Sequence, residues 1–343
     1  MKRNIRTLVS FLFAGAAVHC AGQSSELNNY FQQVGLSPDE ISAIQGGQAV
    51  AKNLKSRIPD EVFVFGAVFV KSTPESYLRF AGDFDRLRKI PEYLAIGTFS
   101  NPPQVADLKG FLFDSEDIKA LKDCKPDNCQ IQLPESGIEA YRQAVDFSAP
   151  DALDKANELL HEGVIRRLLA YQKGGNEALG VYNDKKNPTQ VPQQFKYMLS
   201  YGTILPKVLP DYYNYLLDYP QGKPSNVENS FYWEKVKFGL KPTMRVVHVV
   251  TMHGNNPHQP VYTIAEKQLY SSHYFETALD LTYCIRGEDP NNPGFYLIMV
   301  MGSEQAGLTG FKGSILRKAA TSKTASNLQK SLAAIKRTLE ANQ

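Results

Sequence analysis

The stretch at residues 241–303, with the helix that follows it, constrains the fold more than any other part of the chain. It is rich in β-branched, aromatic and apolar residues and divides into three predicted strands, KPTMRVVHVVTMH, YTIAEKQLYSSHYFETALDLTYCI and GFYLIMVMGS. A helical pattern continues to the C-terminus, and one face of it carries Leu328, Leu332, Ile335 and Leu339. Antiparallel strands closed by one amphipathic helix predict an α+β fold, in which a curved antiparallel sheet packs against a long C-terminal helix.

The rest of the chain predicts more strands and a large helical insertion. EVFVFGAVFVK at 61–71 is apolar on both faces, which is typical of a strand covered on both sides. Shorter runs at 49–56, 93–99 and 230–238 also have strand character, whereas helical patterns dominate at about 101–225. No linker rich in Pro, Gly and Ser bounds this helical block. We therefore expect a single domain over 23–343 with a helical elaboration.

The first 22 residues have the pattern of a secretory signal peptide. The basic segment MKRNIR precedes an apolar run at 8–18, which is too short to span a bilayer, and small residues follow it. We expect cleavage near residue 22 and export to the periplasm or the medium. Lipid attachment at Cys20 fits less well, because His19 stands where a small residue is needed.

Cys124 and Cys129 lie in CKPDNC, a short polar turn. Export permits disulfides, and the turn chemistry brings the two ends together, so this pair is predicted to form a structural disulfide. Metal ligation is disfavoured because no His or further Cys lies nearby, and the spacing is not that of a redox dithiol. Cys284 is then predicted to be a buried free thiol.

Composition and motifs exclude several functions. A net charge of +3 is too small for a dedicated nucleic-acid binder. The chain has no G-x-S-x-G, H-E-x-x-H, P-loop or dinucleotide fingerprint, so we expect no metal and no cofactor. Lys330, Lys336 and Arg337 lie off the apolar stripe of the last helix, where they form either a solvated face or a transient contact with anionic membrane surfaces.

Strand alternation gives the candidate ligand-binding residues. In the first strand His248 shares a side with the apolar residues at 244, 246, 250 and 252. In the second, His273 shares a side with Leu269, while Tyr270 and Tyr274 take the other side. Inward polar groups need partners or a wetted cavity, so the histidines either orient a ligand or are paired structural residues. The tyrosines join this set if their face is the inner one.

The order of elements resembles the START-like, helix-grip superfamily. The residues that carry the resemblance are EVFVFGAVFVK, the strands within 244–302 and the helix at 313–341. The chain is also similar to a group of exported bacterial proteins with a KFGLKP turn and an SSHYF strand, here at 237–242 and 271–275. The superfamily resemblance implies a cavity between the sheet and the C-terminal helix. It assigns no functional residues, and the segment 101–225 is longer and more helical than its usual counterpart.

Three functions remain open at this point. The first is an exported binding or carrier protein whose partner is a hydrophobic small molecule, lipid-like or aromatic. The second is an enzyme that acts on such a molecule by general acid–base chemistry, with His273 as base and Glu276 or His248 assisting. The third is an envelope protein without a ligand, for which we expect a filled interior beneath the terminal helix.

Overall fold

The computed structural model describes residues 21–341 apart from 57, 59, 201–204, 240, 257–258, 306–307 and 309. The predicted signal peptide lies outside the described residues except for its last two positions. Within the described ranges, no helix is both long enough and apolar enough to cross a bilayer.

An eight-stranded antiparallel sheet forms the centre of the molecule, which confirms the predicted fold class. Its strands are β1 (Val50–Asn53), β2 (Glu61–Val70), β3 (Tyr93–Thr98), β6 (Val227–Phe238), β7 (Lys241–His253), β8 (Tyr262–Ser271), β9 (Phe275–Arg286) and β10 (Phe295–Gln305). The order across the sheet is β1-β2-β10-β9-β8-β7-β6-β3. A separate ribbon pairs β4 (Val181–Tyr182) with β5 (Thr189–Gln190).

The predicted second long strand is instead a hairpin, so the prediction of one continuous strand is wrong. The chain reverses at residues 272–274, and β8 and β9 pair with Glu266 opposite Asp280. Tyr274 adopts a left-handed φ of 65° in this turn. Because the chain reverses, an alternation pattern cannot be carried from β8 into β9.

One face of the sheet, here called the terminal-helix face, carries the side chains of Val64, Glu266 and Cys284. The helix α11 (Gly310–Ala341) lies on it against β1 and β2. Leu328 and Leu332 are 5% and 0% exposed and pack over Gly66, whose missing Cβ makes room for them. The predicted apolar contact between the last helix and the sheet is thereby confirmed.

Two short helices cover another part of the terminal-helix face. They are α3 (Pro74–Ala81) and α4 (Phe84–Leu87). The ring centroid of Phe84 in α4 lies 5.6 Å from that of Tyr232. Thr73 caps α3 by accepting a hydrogen bond from the Ser76 N–H at 3.3 Å. The predicted free thiol Cys284 is buried beneath this side of the sheet.

The opposite face, here called the insertion face, carries the side chains of Phe65, His248 and Tyr283. The helices that cover it are α1 (Ala21–Gln33), α2 (Pro38–Gln45), α5 (Ser115–Lys122), α6 (Glu135–Ala144), α7 (Ala152–Gly174), α8 (Val191–Leu199), α9 (Leu205–Val208) and α10 (Pro210–Asp218). They share the larger of the two apolar cores with the sheet. Most of the helices that cover this face, α5 to α10, belong to the predicted helical insertion at about 101–225.

The helix α7 is the main support of the insertion. It buries Ala156, Leu160, Val164 and Leu168 at helical spacing against the core. The chain leaves it at Gly175, which has a φ of 66° and a backbone so close to Tyr219 that an added Cβ would lie 1.7 Å from its carbonyl oxygen. Only glycine fits this approach.

The predicted cysteine pair is also present. Cys124 follows α5, and Cys129 lies five residues on, with the two residues at disulfide distance. The pair closes the turn that joins α5 to the segment before α6.

Candidate functional site

His248 is buried on the insertion face and fully paired. Its Nδ1 lies 2.9 Å from the hydroxyl of Tyr171 on α7, and its Nε2 lies 2.8 Å from Oδ1 of Asn229 on β6. Because the Asn229 oxygen only accepts, Nε2 donates and Nδ1 accepts the phenol proton. Burial, together with the nearby Lys267, lowers the pKa of His248 well below its usual value, so the ring is neutral.

Lys267 completes this buried group, and the sequence analysis did not identify it. It is the cross-strand partner of His248 and is 2% exposed. Its ammonium donates to Asn176 and lies 3.7 Å from the ring centroid of Phe195. In the described part of the chain no carboxylate lies within 4.0 Å of it, and burial lowers its pKa. In the sequence, Lys267 can be recognised as a lysine at an inward-facing position of a largely apolar strand, where lysine is rare.

The arrangement around His248 and Lys267 joins α7 to the sheet. Each polar side chain in it has a hydrogen-bond partner, as buried groups require. The two cavities described below are lined by other residues. The geometry is that of a closed, satisfied network.

His273 lies in the β8–β9 turn and is likewise paired on both ring nitrogens. Nε2 is 3.0 Å from Oδ1 of Asp117 on α5, and Nδ1 is 3.0 Å from the backbone oxygen of Gln130. Both ring nitrogens of His273 are thus engaged by the protein, one by a carboxylate and the other by a backbone oxygen. Glu276, which was expected to assist it, instead accepts hydrogen bonds from Lys185 and Gln194.

Tyr274 lies beside the turn between β6 and β7. Its hydroxyl accepts a hydrogen bond from the Lys241 N–H at 2.9 Å, and its ring is 5.5 Å from that of Phe238. Neither Tyr274 nor either histidine lines the cavity that contains Tyr270. The structure thus separates the four predicted ligand-binding residues into different environments.

Tyr270 points to the insertion face because of a β-bulge. Val246 pairs with Tyr270 and Val247 with Gln268, so Leu269 is the extra residue. Both Leu269 and Tyr270 then lie in the core on the insertion face. The predicted alternation, which placed them on opposite sides, is wrong at this point because one inserted residue reverses it.

A cavity of about 470 Å³ lies over Tyr270. We call it the Tyr270 cavity. It is bounded by α6, α7 and the 3₁₀ turn at Gly175–Leu179, and its walls are mainly apolar. The apolar lining includes Leu133, Ala140, Leu159, Leu160, Val164 and Leu179.

Five polar side chains also line the Tyr270 cavity, namely Ser136, Tyr141, Arg166, Arg167 and Tyr270, and the two arginines and Tyr270 give it a donor character. The Tyr270 hydroxyl has no hydrogen-bond partner among the described residues, and Tyr270 is 4% exposed. Burial, with Tyr141 nearby, raises its pKa well above the usual value, so it keeps its proton. Arg167 donates to the backbone oxygen of Leu179 at 2.8 Å, and Arg166 lies exposed beside it.

Arg167 was not among the predicted site residues, although its position in the sequence of α7 indicates that it faces the core. Residues 160, 163, 164 and 167 follow the helical repeat, which places Arg167 on the same face of α7 as Leu160 and Val164. A half-buried arginine on an apolar stripe calls for an acceptor.

A second cavity, of about 420 Å³, lies on the terminal-helix face beneath α3 and α4. Glu234 and Glu266 line it, and Asp280 stands opposite Glu266 across the β8–β9 pair. Arg245 is the nearby cation, and its Nη1 lies 3.0 Å from Oε1 of Glu234. We call Glu234, Glu266 and Asp280 the carboxylate cluster.

The carboxylate cluster has perturbed acidity. Burial, followed by repulsion from Asp280 and Glu234, raises the pKa of Glu266 to about 7. Burial raises that of Asp280 to about 6, against the attraction of Arg245. Glu266 is therefore divided between its protonated and charged forms near neutral pH. The alternation of apolar and polar residues identifies these strands in the sequence. The three carboxylates come together only through the strand register, which the local sequence does not show.

Among the described residues, no three or more His, Cys, Asp or Glu side chains are placed to hold a metal ion. Comparison of the sequence with models of known families and with curated proteins finds no match.

Proposed function

We propose that this protein is an exported binding or carrier protein that holds a hydrophobic small molecule in the Tyr270 cavity. The observation that carries the proposal is the buried Tyr270 hydroxyl, which lacks a partner and lines a mainly apolar cavity. A volume of about 470 Å³ is within the range of small-molecule sites, which are mostly apolar with a few orienting polar groups.

Leaving a buried donor without a partner costs about 1–3 kcal/mol. The hydroxyls of Tyr30 and Tyr283 are also unpaired among the described residues, so the distinguishing feature of Tyr270 is that it lines a cavity. A ligand with an acceptor atom would remove this cost. The proposed location differs from the one expected between the sheet and the C-terminal helix, because Leu328 and Leu332 fill the space there above Gly66. That filling is the expectation for a protein without a ligand, so the support for binding comes from the Tyr270 cavity on the opposite face.

The histidines support binding over acid–base chemistry. His273 is held between Asp117 and Gln130, and Glu276 is held by Lys185 and Gln194, so the expected catalytic groups are engaged elsewhere. General acid–base catalysis needs a group within reach of a substrate in a cleft. Export is supported by the cysteine pair at disulfide distance, since such pairs persist in oxidising compartments.

A cavity-filling variant tests the proposal. Gly163 lines the Tyr270 cavity, and a Cβ added there would meet no atom within 4 Å. Gly163→Phe should therefore fill the cavity without disturbing the backbone, while Gly163→Ala is the matched control. We expect the neutral fluorescent probe N-phenylnaphthylamine to bind the wild type and Gly163→Ala, and to lose at least about tenfold in affinity for Gly163→Phe.

Native mass spectrometry of protein purified from its host envelope gives an independent measurement. A hydrophobic species should accompany the wild type and be absent from Gly163→Phe. Equal probe affinity in all three proteins, together with ligand-free wild type, would refute the proposal.

A further inference from the structure

We infer that the molecule held in the Tyr270 cavity is an organic anion, with an apolar body and a carboxylate headgroup. This inference rests on the proposed binding function and adds the charge of the ligand. It follows from the chemistry of the polar side chains that line the cavity.

The first observation is the charge of the lining. Arg166 and Arg167 are the charged residues among those that line the cavity, and no Asp or Glu accompanies them. In the described part of the chain, neither guanidinium has a carboxylate within 4.0 Å, whereas the nearby Arg142 pairs with Glu139 at 3.0 Å. Among the described residues, the lining of the cavity therefore has a net positive charge without a carboxylate paired to it.

The second observation is the position of Arg167. It is half-buried on the apolar face of α7, where an unpaired cation is costly. One N–H bonds to the backbone oxygen of Leu179, and a guanidinium has five N–H donors. Its Cζ lies 6.0 Å from the ring centroid of Tyr270 and 5.5 Å from that of Tyr182. The guanidinium therefore lies near the ring of Tyr270, and both side chains line the cavity.

The third observation is the Tyr270 hydroxyl itself. It keeps its proton and has no acceptor among the residues that the structure describes. Arginine and phenol donors together need an acceptor group, and Arg binds carboxylates through two parallel hydrogen bonds. An ammonium headgroup would bring further donors and a like charge, and an alcohol would leave the guanidinium charge uncompensated. A carboxylate satisfies both requirements at once.

The test uses three probes with the same ten-carbon chain: decanoate, decanol and decylammonium. Each competes with N-phenylnaphthylamine for wild-type protein at a fixed ionic strength. We expect decanoate to bind at least about tenfold more tightly than decanol, since a charge-assisted hydrogen bond is worth roughly one decade or more. Decylammonium should bind most weakly of the three.

Variants assign the headgroup effect to the cavity. Arg167→Met keeps the apolar stem and should lower decanoate affinity at least about tenfold while changing decanol affinity less than about twofold. Arg142→Gln, a surface arginine outside the lining, should leave all affinities unchanged. Tyr270→Phe should weaken decanoate by a smaller factor, because a neutral donor contributes less than a charged one.

The outcomes separate the two proposals. Equal wild-type affinities for decanoate and decanol, both abolished by Gly163→Phe, would overturn the anionic headgroup and leave hydrophobic binding standing. Failure of every probe to bind would overturn the binding function. The wild-type headgroup series needs no substitution, so it decides the inference even where Arg167→Met does not fold.

Discussion

Replacing Glu266 with glutamine should stabilise the protein at pH 8 and leave its stability at pH 4 nearly unchanged. Glu266 and Asp280 face each other across β8 and β9, and like charges directly opposite in an antiparallel pair repel. Arg245 is engaged with Glu234 at 3.0 Å and offers one positive charge to three carboxyl groups. The protein therefore favours the neutral form of Glu266.

The direction of the expected change in stability follows from the raised pKa of Glu266. The folded protein holds the Glu266 proton up to about pH 7, whereas the ordinary carboxyl, with a pKa of 4.5, releases it earlier in the unfolded chain. The stabilising contribution of the Glu266 carboxyl is therefore fully present below pH 4.5 and is lost as the pH rises through about 7.

The magnitude follows from the same two values. One pKa unit corresponds to about 1.4 kcal/mol, so the change from 4.5 to about 7 corresponds to about 3.5 kcal/mol at most. Glu266 is half-buried, and solvent screening reduces this, so we expect glutamine to add about 2 kcal/mol at pH 8. The Tyr232 hydroxyl forms a hydrogen bond with the Glu266 side chain, and the amide oxygen of a glutamine can still accept it.

The assay is urea denaturation of the wild type and Glu266→Gln at pH 4, 6 and 8, with the free energies of unfolding compared at each pH. Glu228→Gln is the matched control, because Glu228 lines the same cavity but has a side chain that is 77% exposed. The control should change stability by less than about 0.5 kcal/mol at every pH. A stabilisation of equal size at pH 4 and pH 8, or a destabilisation at pH 8, would refute the reasoning.

Two further predictions concern the packing of the terminal helix and the buried contact between His273 and Asp117. Gly66→Ala should lower the free energy of unfolding by about 1–3 kcal/mol, because its Cβ would lie 2.7 Å from a methyl group of Leu328; Gly163→Ala should instead be neutral or stabilising by up to about 1 kcal/mol. Equal effects in urea denaturation would contradict the tight helix–sheet contact. Asp117→Ala should cost about 1–3 kcal/mol, because it leaves the buried Nε2 of His273 without its partner. A loss below about 0.5 kcal/mol in urea denaturation would contradict this pairing.

The parts of the fold that follow local periodicity could be predicted from the sequence. The leucine stripe of the last helix repeats at helical spacing, and its buried members Leu328 and Leu332 pack against the sheet as expected. EVFVFGAVFVK is apolar on both faces, and every residue of β2 is buried between helices on either side. These patterns can be recognised in the sequence because the buried faces of a helix or strand carry apolar residues at the spacing of that element.

The β8–β9 hairpin could not be predicted in this way. The turn at Ser272–Tyr274 lacks the Gly, Pro, Asn or Asp that mark most reversals. Distant parts of the chain hold it instead, since Ser272 accepts a hydrogen bond from the Gln132 N–H and His273 pairs with Asp117. Interactions between residues so far apart in sequence leave no local pattern, so the strand appeared continuous.

The environment of Tyr270 depends on the bulge at Leu269. A regular strand would point Tyr270 toward the terminal-helix face, as Gln268 and Glu266 do, which is the face that carries the carboxylate cluster. The bulge turns the side chain to the insertion face instead, where its ring lies near Arg167. The extra residue thus leaves a donor unsatisfied at a positively charged cavity while an acid-rich cavity lies on the other side of the sheet. Bulges often re-aim a side chain at a binding site, and here the re-aimed group is the one whose missing partner supports an anionic ligand.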